Sequence, residues 1–195
     1  MKVILASLSE RRSRILSDCG IEHQAIPSGA FENIDDGKDI SEIVQINAER
    51  KAEKVAEKHK DALVIGADTL VIHAGNILGK PDSEHSAREM LKQFSGEELE
   101  VYSGLCVING SKKSVDYEKS VLNVVSLTND QIERYFRLLG PYDKAGGFSI
   151  EGVGSILFDN IKGSYFNILG LSTRKLKDMF REIDLDILDF IKADE

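Results

Sequence analysis

Cysteine occurs only twice in these 195 residues, as Cys19 and Cys106. Neither has a partner at ligand spacing, which excludes a disulfide framework and a structural zinc site. The four histidines (His23, His59, His73, His85) form no paired metal-ligand motif. Basic residues are in deficit: 25 Lys and Arg against 33 Asp and Glu leave a net charge of −8. That balance argues against nucleic acid as a partner, since a general binder carries a basic surplus. Long apolar runs are missing too. The opening Met1–Ala6 stretch is too short for a signal peptide, and nothing approaches a membrane span, so a cytoplasmic location with no membrane partner is expected. There is no Walker loop, with its glycine spacing and Lys-Ser/Thr pair, and no G-x-S-x-G elbow.

What is present is an ordinary globular composition, 42% hydrophobic and 30% charged, long enough for one domain or two small lobes sharing a sheet. Lys2–Ala6 reads as a buried strand and Glu10–Cys19 as a helix closed by Gly20, with Ser7 and Glu10 as a capping box. Apolar residues at helical spacing mark a helix over 40–58, and Ser83–Phe94 reads as another. Two long strands, Leu99–Asn109 and Ser114–Leu127, meet around Gly110. Thr128 with Gln131 caps a further helix to about Leu139. Ile156–Ile161 reads as a strand inside a glycine-rich stretch, and a last helix starts near Thr173. Long paired strands among helices predict an α/β fold on a mixed sheet rather than a doubly wound parallel one.

Three constellations carry chemistry. Asp68 interrupts the apolar run Ala62–Ile72, and Lys80 follows twelve residues later in Gly79-Lys80-Pro81. A carboxylate in a buried strand is costly unless paired, metal-bound or reactive. With Ala74-Gly75-Asn76 as the turn and residue 73 facing 77, Asp68 and Lys80 become diagonal neighbours. They are then either a structural ion pair or a site in which Asp68 holds a metal or orients a water and Lys80 neutralises phosphate. The second constellation is Ser7-Leu8-Ser9-Glu10-Arg11-Arg12 at a strand-to-helix junction. Two arginines there oppose the helix dipole, so they suit either solvent or a bound polyphosphate. On this reading Arg12 serves the ligand and not stability. The third is Asp143-Lys144-Ala145-Gly146-Gly147, whose glycines admit a ligand close to the backbone or simply make a tight loop. Glu32 carries little signal alone, and Lys51 sits on what would normally be a solvated helix face.

In order along the chain, these segments resemble the Maf family of nucleoside triphosphate pyrophosphatases. The motif L-A-S-x-S-P-R-R appears as Leu5-Ala6-Ser7-Leu8-Ser9-Glu10-Arg11-Arg12, G-A-D-T stands at 66–69, and L-G-K-P at 78–81. Ser95-Gly96 with Val101-Tyr102-Ser103-Gly104, D-K-A-G at 143–146, and G-S-Y-x-N-x-x-G-L from Gly163 to Leu171 complete the set. The resemblance implies a single domain over 1–195, two lobes sharing one elongated, curved mixed sheet with a central cleft, similar to the inosine triphosphate pyrophosphatases. It implies a hydrolase of phosphorus-containing anhydrides, cutting a nucleoside triphosphate to the monophosphate and pyrophosphate with Mg²⁺ or Mn²⁺. Asp68 is then the proton acceptor and a metal ligand with Glu32. Ser7, Arg11, Arg12, Lys51, Thr69, Lys80, Lys144 and Glu151 engage the substrate, and a homodimer is left open. Glu10 replaces the usual proline, Gly140 a frequent glutamate, and Glu151 the glutamine of G-I-Q-G. Thr69 points to dTTP or UTP as substrate, whereas Glu151 points to 7-methyl-GTP or another modified purine nucleotide. A nucleotide-sensing regulator of cell division without turnover is the reading from another class.

Overall fold

The computed structural model describes residues 1–32, 37–139 and 149–192. The predicted α/β class and mixed sheet are found. Strands β1 (Lys2–Leu5), β2 (Gln24–Ala25), β3 (Ala62–His73), β5 (Glu98–Asn109), β6 (Lys112–Val124) and β7 (Phe158–Lys162) lie in the order β2-β1-β3-β5-β6-β7, with β4 (Asn76–Leu78) paired to β3. β1 runs parallel to both β2 and β3, whereas β3/β4 and β6/β7 are antiparallel. Helices α1 (Glu10–Asp18), α2 (Ile40–Ala56), α3 (Glu84–Gln93), α4 (Asn129–Leu139), α5 (Tyr165–Ile168) and α6 (Thr173–Glu182) complete the described elements, with 3-10 turns at Gly152–Leu157 and Ile187–Phe190. Among the described residues no helix is long and apolar enough to cross a membrane.

The chain forms two compact units. One comprises Met1–Thr69, Tyr102–Glu118 and Ser164–Glu195; the other comprises Leu70–Val101 and Lys119–Gly163. In the first, even-numbered residues of β3 face α2, and Ile4, Ala6, Ala62, Val64, Cys106 and Ile108 form a buried layer with Ala48, Ala52 and Val55 of that helix. The helix comes unusually close to the sheet. A Cβ on Gly66 would stand 2.3 Å from the Ala48 carbonyl oxygen, and one on Gly104 2.1 Å from that of Val44. Only glycine fits at both places. In the second unit α3 carries the Ser83–Ser86 capping box, and Arg88 lies over the Phe136 ring at 5.2 Å and bonds Glu133 at 3.2 Å. The Thr128–Gln131 box closes as predicted, at 2.8 and 3.3 Å.

Four local expectations are corrected. The cap of α1 is Ser9, whose hydroxyl accepts from the Arg12 N–H, while Ser7 accepts from Ser9 N–H two residues earlier. The hairpin pairs His73 with Asn76, not with residue 77. Its loop is two residues, Ala74 and Gly75, at φ +48° and +80°, the twist that suits tight hairpins. The register is therefore one residue off, and the reasoning that set Asp68 beside Lys80 loses its basis. Residues 152–157 form a 3-10 turn, leaving β7 to begin at Phe158, because Gly152 (φ +59°) and the sterically confined Gly154 wind the backbone tightly. Finally, Lys51 is buried, only 7% exposed, on the apolar stripe of α2 rather than on a solvated face.

Candidate active site

The site in the first unit is built where β1 stops. β1 pairs with β3 as far as Leu5/Ile65, and Ala6 N–H still reaches the Ile65 carbonyl at 2.8 Å. β3 continues after β1 has turned away into Ser7. The next carbonyl on that edge, Ala67, must then find other donors. It accepts from Arg12 Nη1 at 3.0 Å, with Lys51 Nζ at 3.5 Å. Ligand sites lie at such carboxyl ends of parallel strands because the departing chain leaves room and unpaired polar groups.

Asp68 and Thr69 project from opposite faces of β3 at this point. On the α2 face, Asp68 is 5% exposed, and Lys51 Nζ donates to its Oδ1 at 2.6 Å while Asn47 Nδ2 donates to its Oδ2 at 3.0 Å. Lys51 Nζ also lies 2.7 Å from Glu32 Oε1, so two carboxylates converge on one ammonium. Burial of Asp68 is thus offset by a charge and a hydrogen bond, as a buried carboxylate requires. Nothing in the motifs marks Asn47. The available signal was its spacing: four residues before Lys51, within the stripe of Val44, Ala48 and Ala52.

On the other face Arg12 is clamped. Its Nη1 donates to Ser7 Oγ at 3.2 Å and to Ala67 O, its Nε to Gly170 O at 3.0 Å, and its Nη2 to Thr69 Oγ1 at 3.0 Å. The Ser103 hydroxyl lies 2.9 Å from Thr69 Oγ1 and donates to Asn167 O at 2.9 Å. The proton order follows from the ends, since a guanidinium only donates and a carbonyl only accepts. Thr69 must donate to Ser103. Gly170, at φ +100°, leaves no slack, since a Cβ there would stand 3.1 Å from Thr69 Oγ1. Burial lowers the pKa of Arg12 and Arg11 adds to this, whereas Asp68 and Glu32 raise it. The guanidinium remains charged throughout the physiological range.

Ser7, Arg12, Glu32, Lys51, Asp68 and Thr69 are therefore linked in one unit, and Arg11 is half-buried near Arg12. Lys80 and Glu151 belong to the second unit. Lys80 is exposed beyond β4, and Glu151 precedes the 3-10 turn with its N–H donating to Ser149 Oγ at 3.2 Å. Lys144 lies outside the described residues.

The model of the Maf-like protein family matches residues 2–183. The chain belongs to that family. Among its Maf relatives, the dTTP/UTP pyrophosphatase of Desulforamulus reducens is 40% identical over 188 residues, covering 95% of this chain and 98% of the relative. That of Caldicellulosiruptor bescii is 39% identical over 193 residues, covering 96% and 97%. That of Bacillus cereus strain G9842 is 39% identical over 186 residues, covering 95% and 97%. Among solved structures, a HAM1 protein from Coxiella burnetii superposes on this Maf chain with a TM-score of 0.47 at 11% identity, over 92% of this chain and 91% of that one.

Proposed function

We propose that this protein is a nucleoside triphosphate pyrophosphatase that hydrolyses dTTP and UTP to the monophosphate and pyrophosphate. The observation that carries the reading is the buried Asp68 carboxylate, held at both oxygens by Lys51 and Asn47, on β3 just past the end of its parallel pairing with β1. A pure triphosphate binder needs cations there but no acid. The names of relatives that share about two-fifths of the sequence over nearly the whole length support the same activity and the pyrimidine substrates.

In this reading Asp68 takes the proton of the attacking water while the anhydride bond between the α- and β-phosphoryl groups breaks and pyrophosphate leaves. Ser7, Arg11 and Lys51 meet phosphate oxygens, and Arg12 both shapes the loop and presents its remaining Nη2 N–H. Thr69 acts through Arg12. Preorganised cations of this kind are usually the largest catalytic contribution in phosphoryl chemistry. The assignment of Lys80 and Lys144 to the substrate rests on their motifs, and that of Glu151 on the place where G-I-Q-G carries its glutamine.

A divalent cation, Mg²⁺ or Mn²⁺, fits the donor set in a limited way. Among the described residues no three His, Cys, Asp or Glu side chains converge, but Asp68 and Glu32 already share one cation, the Lys51 ammonium. One or two carboxylates with substrate phosphates is the usual holding pattern for Mg²⁺. When bound, the ion supplies charge neutralisation at the phosphate oxygens.

Pyrophosphate release from dTTP, UTP, CTP, GTP and 7-methyl-GTP, with Mg²⁺ or Mn²⁺, tests the reading. Turnover should be highest with dTTP and UTP. Asp68→Asn should reduce kcat by about two orders of magnitude or more while leaving the fold intact. Binding of all five without release would instead make the chain a nucleotide sensor. Best turnover of 7-methyl-GTP would move the substrate to modified purines.

A further inference from the structure

Asn47 occupies a position where its own chemistry is a disadvantage. It lies in the interior of α2, 1% exposed, among Val44, Ala48 and Ala52 on the face that meets the sheet. A leucine there would form helix more readily and bury no polar group. One offsetting gain is the bond from Nδ2 to Asp68 Oδ2 at 3.0 Å, which places a second donor on that carboxylate. Because a carboxylate only accepts, the amide must present its NH₂ end to Asp68.

Lys51 and Asn47 are four residues apart, so they stand one above the other on the helix and reach the two oxygens of one carboxylate. Lys51 alone fixes Oδ1 and leaves the carboxylate free to turn about its last side-chain bond. The second donor removes that freedom. The close seat of α2 on Gly66 and Gly104 holds both donors at fixed height over the strand. Among the described residues each Asp68 oxygen keeps one further acceptor site, and the plane in which those sites lie is set by the pair of donors. Being neutral, Asn47 sets this plane without altering the charge balance among Lys51, Asp68 and Glu32.

We propose that Asn47 is a positioning residue for the hydrolytic reaction, acting through Asp68 by locking the plane of its carboxylate. The proposal rests on the pyrophosphatase reading and deepens it. A general base must lie within hydrogen-bond reach of the proton that it takes, and small errors in its placement are costly.

The test measures kcat and KM for dTTP and UTP by pyrophosphate release, with the thermal midpoint, for wild type and Asn47→Leu. Asn47→Ala serves if the leucine variant does not fold. Loss of a supporting hydrogen-bond partner typically costs about 10- to 100-fold, so kcat should fall by that factor. KM should stay within about twofold, because a carboxylate base contributes little to ground-state binding of a polyanion. The midpoint should move by no more than a few degrees. In an Asp68→Asn background, followed in single-turnover assays with enzyme in excess, Asn47→Leu should bring no further loss. An unchanged kcat would overturn the proposal, as would a matching fall of kcat and midpoint that persists without Asp68. Absence of pyrophosphate release by the wild type from any triphosphate would remove the underlying reading, and the proposal with it.

Discussion

Four side-chain hydrogen bonds from one guanidinium, to Ser7, Ala67, Thr69 and Gly170, make Arg12 part of the architecture of its loop. From sequence alone its place in the first turn of α1 suits either solvent or a bound anion, and neither makes it structural. The helix dipole argument is correct as far as it goes, but it counts one unfavourable interaction and none of the bonds made to residues 55 to 158 positions away. Arg12→Ala would remove a donor from two carbonyls and two hydroxyls, and the expected loss is about 2–4 kcal/mol, or roughly 5–15 °C in the thermal midpoint. Arg12→Lys should recover little of it, because an ammonium cannot reproduce the forked geometry. Differential scanning calorimetry decides the matter: a midpoint unchanged in Arg12→Ala would show that the ligand alone explains the residue. Asp68 was legible because a carboxylate in an apolar strand violates a local rule. Lys51 was marked only by the family resemblance and Asn47 by nothing, since a lysine among charged neighbours and an asparagine in a helix violate nothing until the buried face is known.

Secondary structure was legible where periodicity spoke clearly, as in α2 and α3, and where a cap joined it, as in α4 with the Thr128–Gln131 box. It failed where glycine or an unusual backbone decided the path. Ala74 at φ +48° shortens the hairpin loop to two residues, a conformation that alanine disfavours and that composition does not suggest. The two glycines that seat α2 were visible as letters, but their purpose appears only when Val44 and Ala48 are found against them. This gives an element-scale prediction. Gly104→Ala must lift α2 or shift β5 to relieve a 2.1 Å contact with the Val44 carbonyl. Overpacking of that sort costs about 1–3 kcal/mol. Because Asn47 and Lys51 ride on the same helix, kcat should also fall by at least about tenfold, as misplacements near 1 Å commonly do. Loss of stability with full activity would show that the strand, and not the helix, gives way.

At the scale of the whole molecule, the net charge of −8 sets a repulsive background for a polyanionic substrate. Binding energy must therefore come from the local cations and any accompanying metal, and ligand binding should be visible as stabilisation of the native chain. Cys106 offers a reporter for this. It is fully buried in the layer between α2 and the sheet, and burial pushes its thiol up to about 12 from an ordinary 9.0. The folded state holds the neutral thiol. Its contribution to stability is thus complete below about pH 9 and is lost as pH climbs toward 12. Cys19, at the end of α1, is only partly covered, and burial raises its pKa with Asp18 adding to the effect. At pH 8 a thiol reagent should therefore modify one cysteine in the native protein and two in denaturant. The thiolate is the reactive form, and Cys106 supplies none until its layer opens. Labelling of Cys106 then measures opening, and a ligand that binds only the closed form must slow it. In the Asp68→Asn protein, which spares the ligand from hydrolysis, dTTP with Mg²⁺ at a hundredfold excess over Kd should slow it about 100-fold, equivalent to about 2.7 kcal/mol. Protection by dTTP and UTP but not by GTP would place base selectivity in binding. Equal protection by all three would leave selectivity to the chemical step, and no protection by any would mean that this chain does not hold a triphosphate.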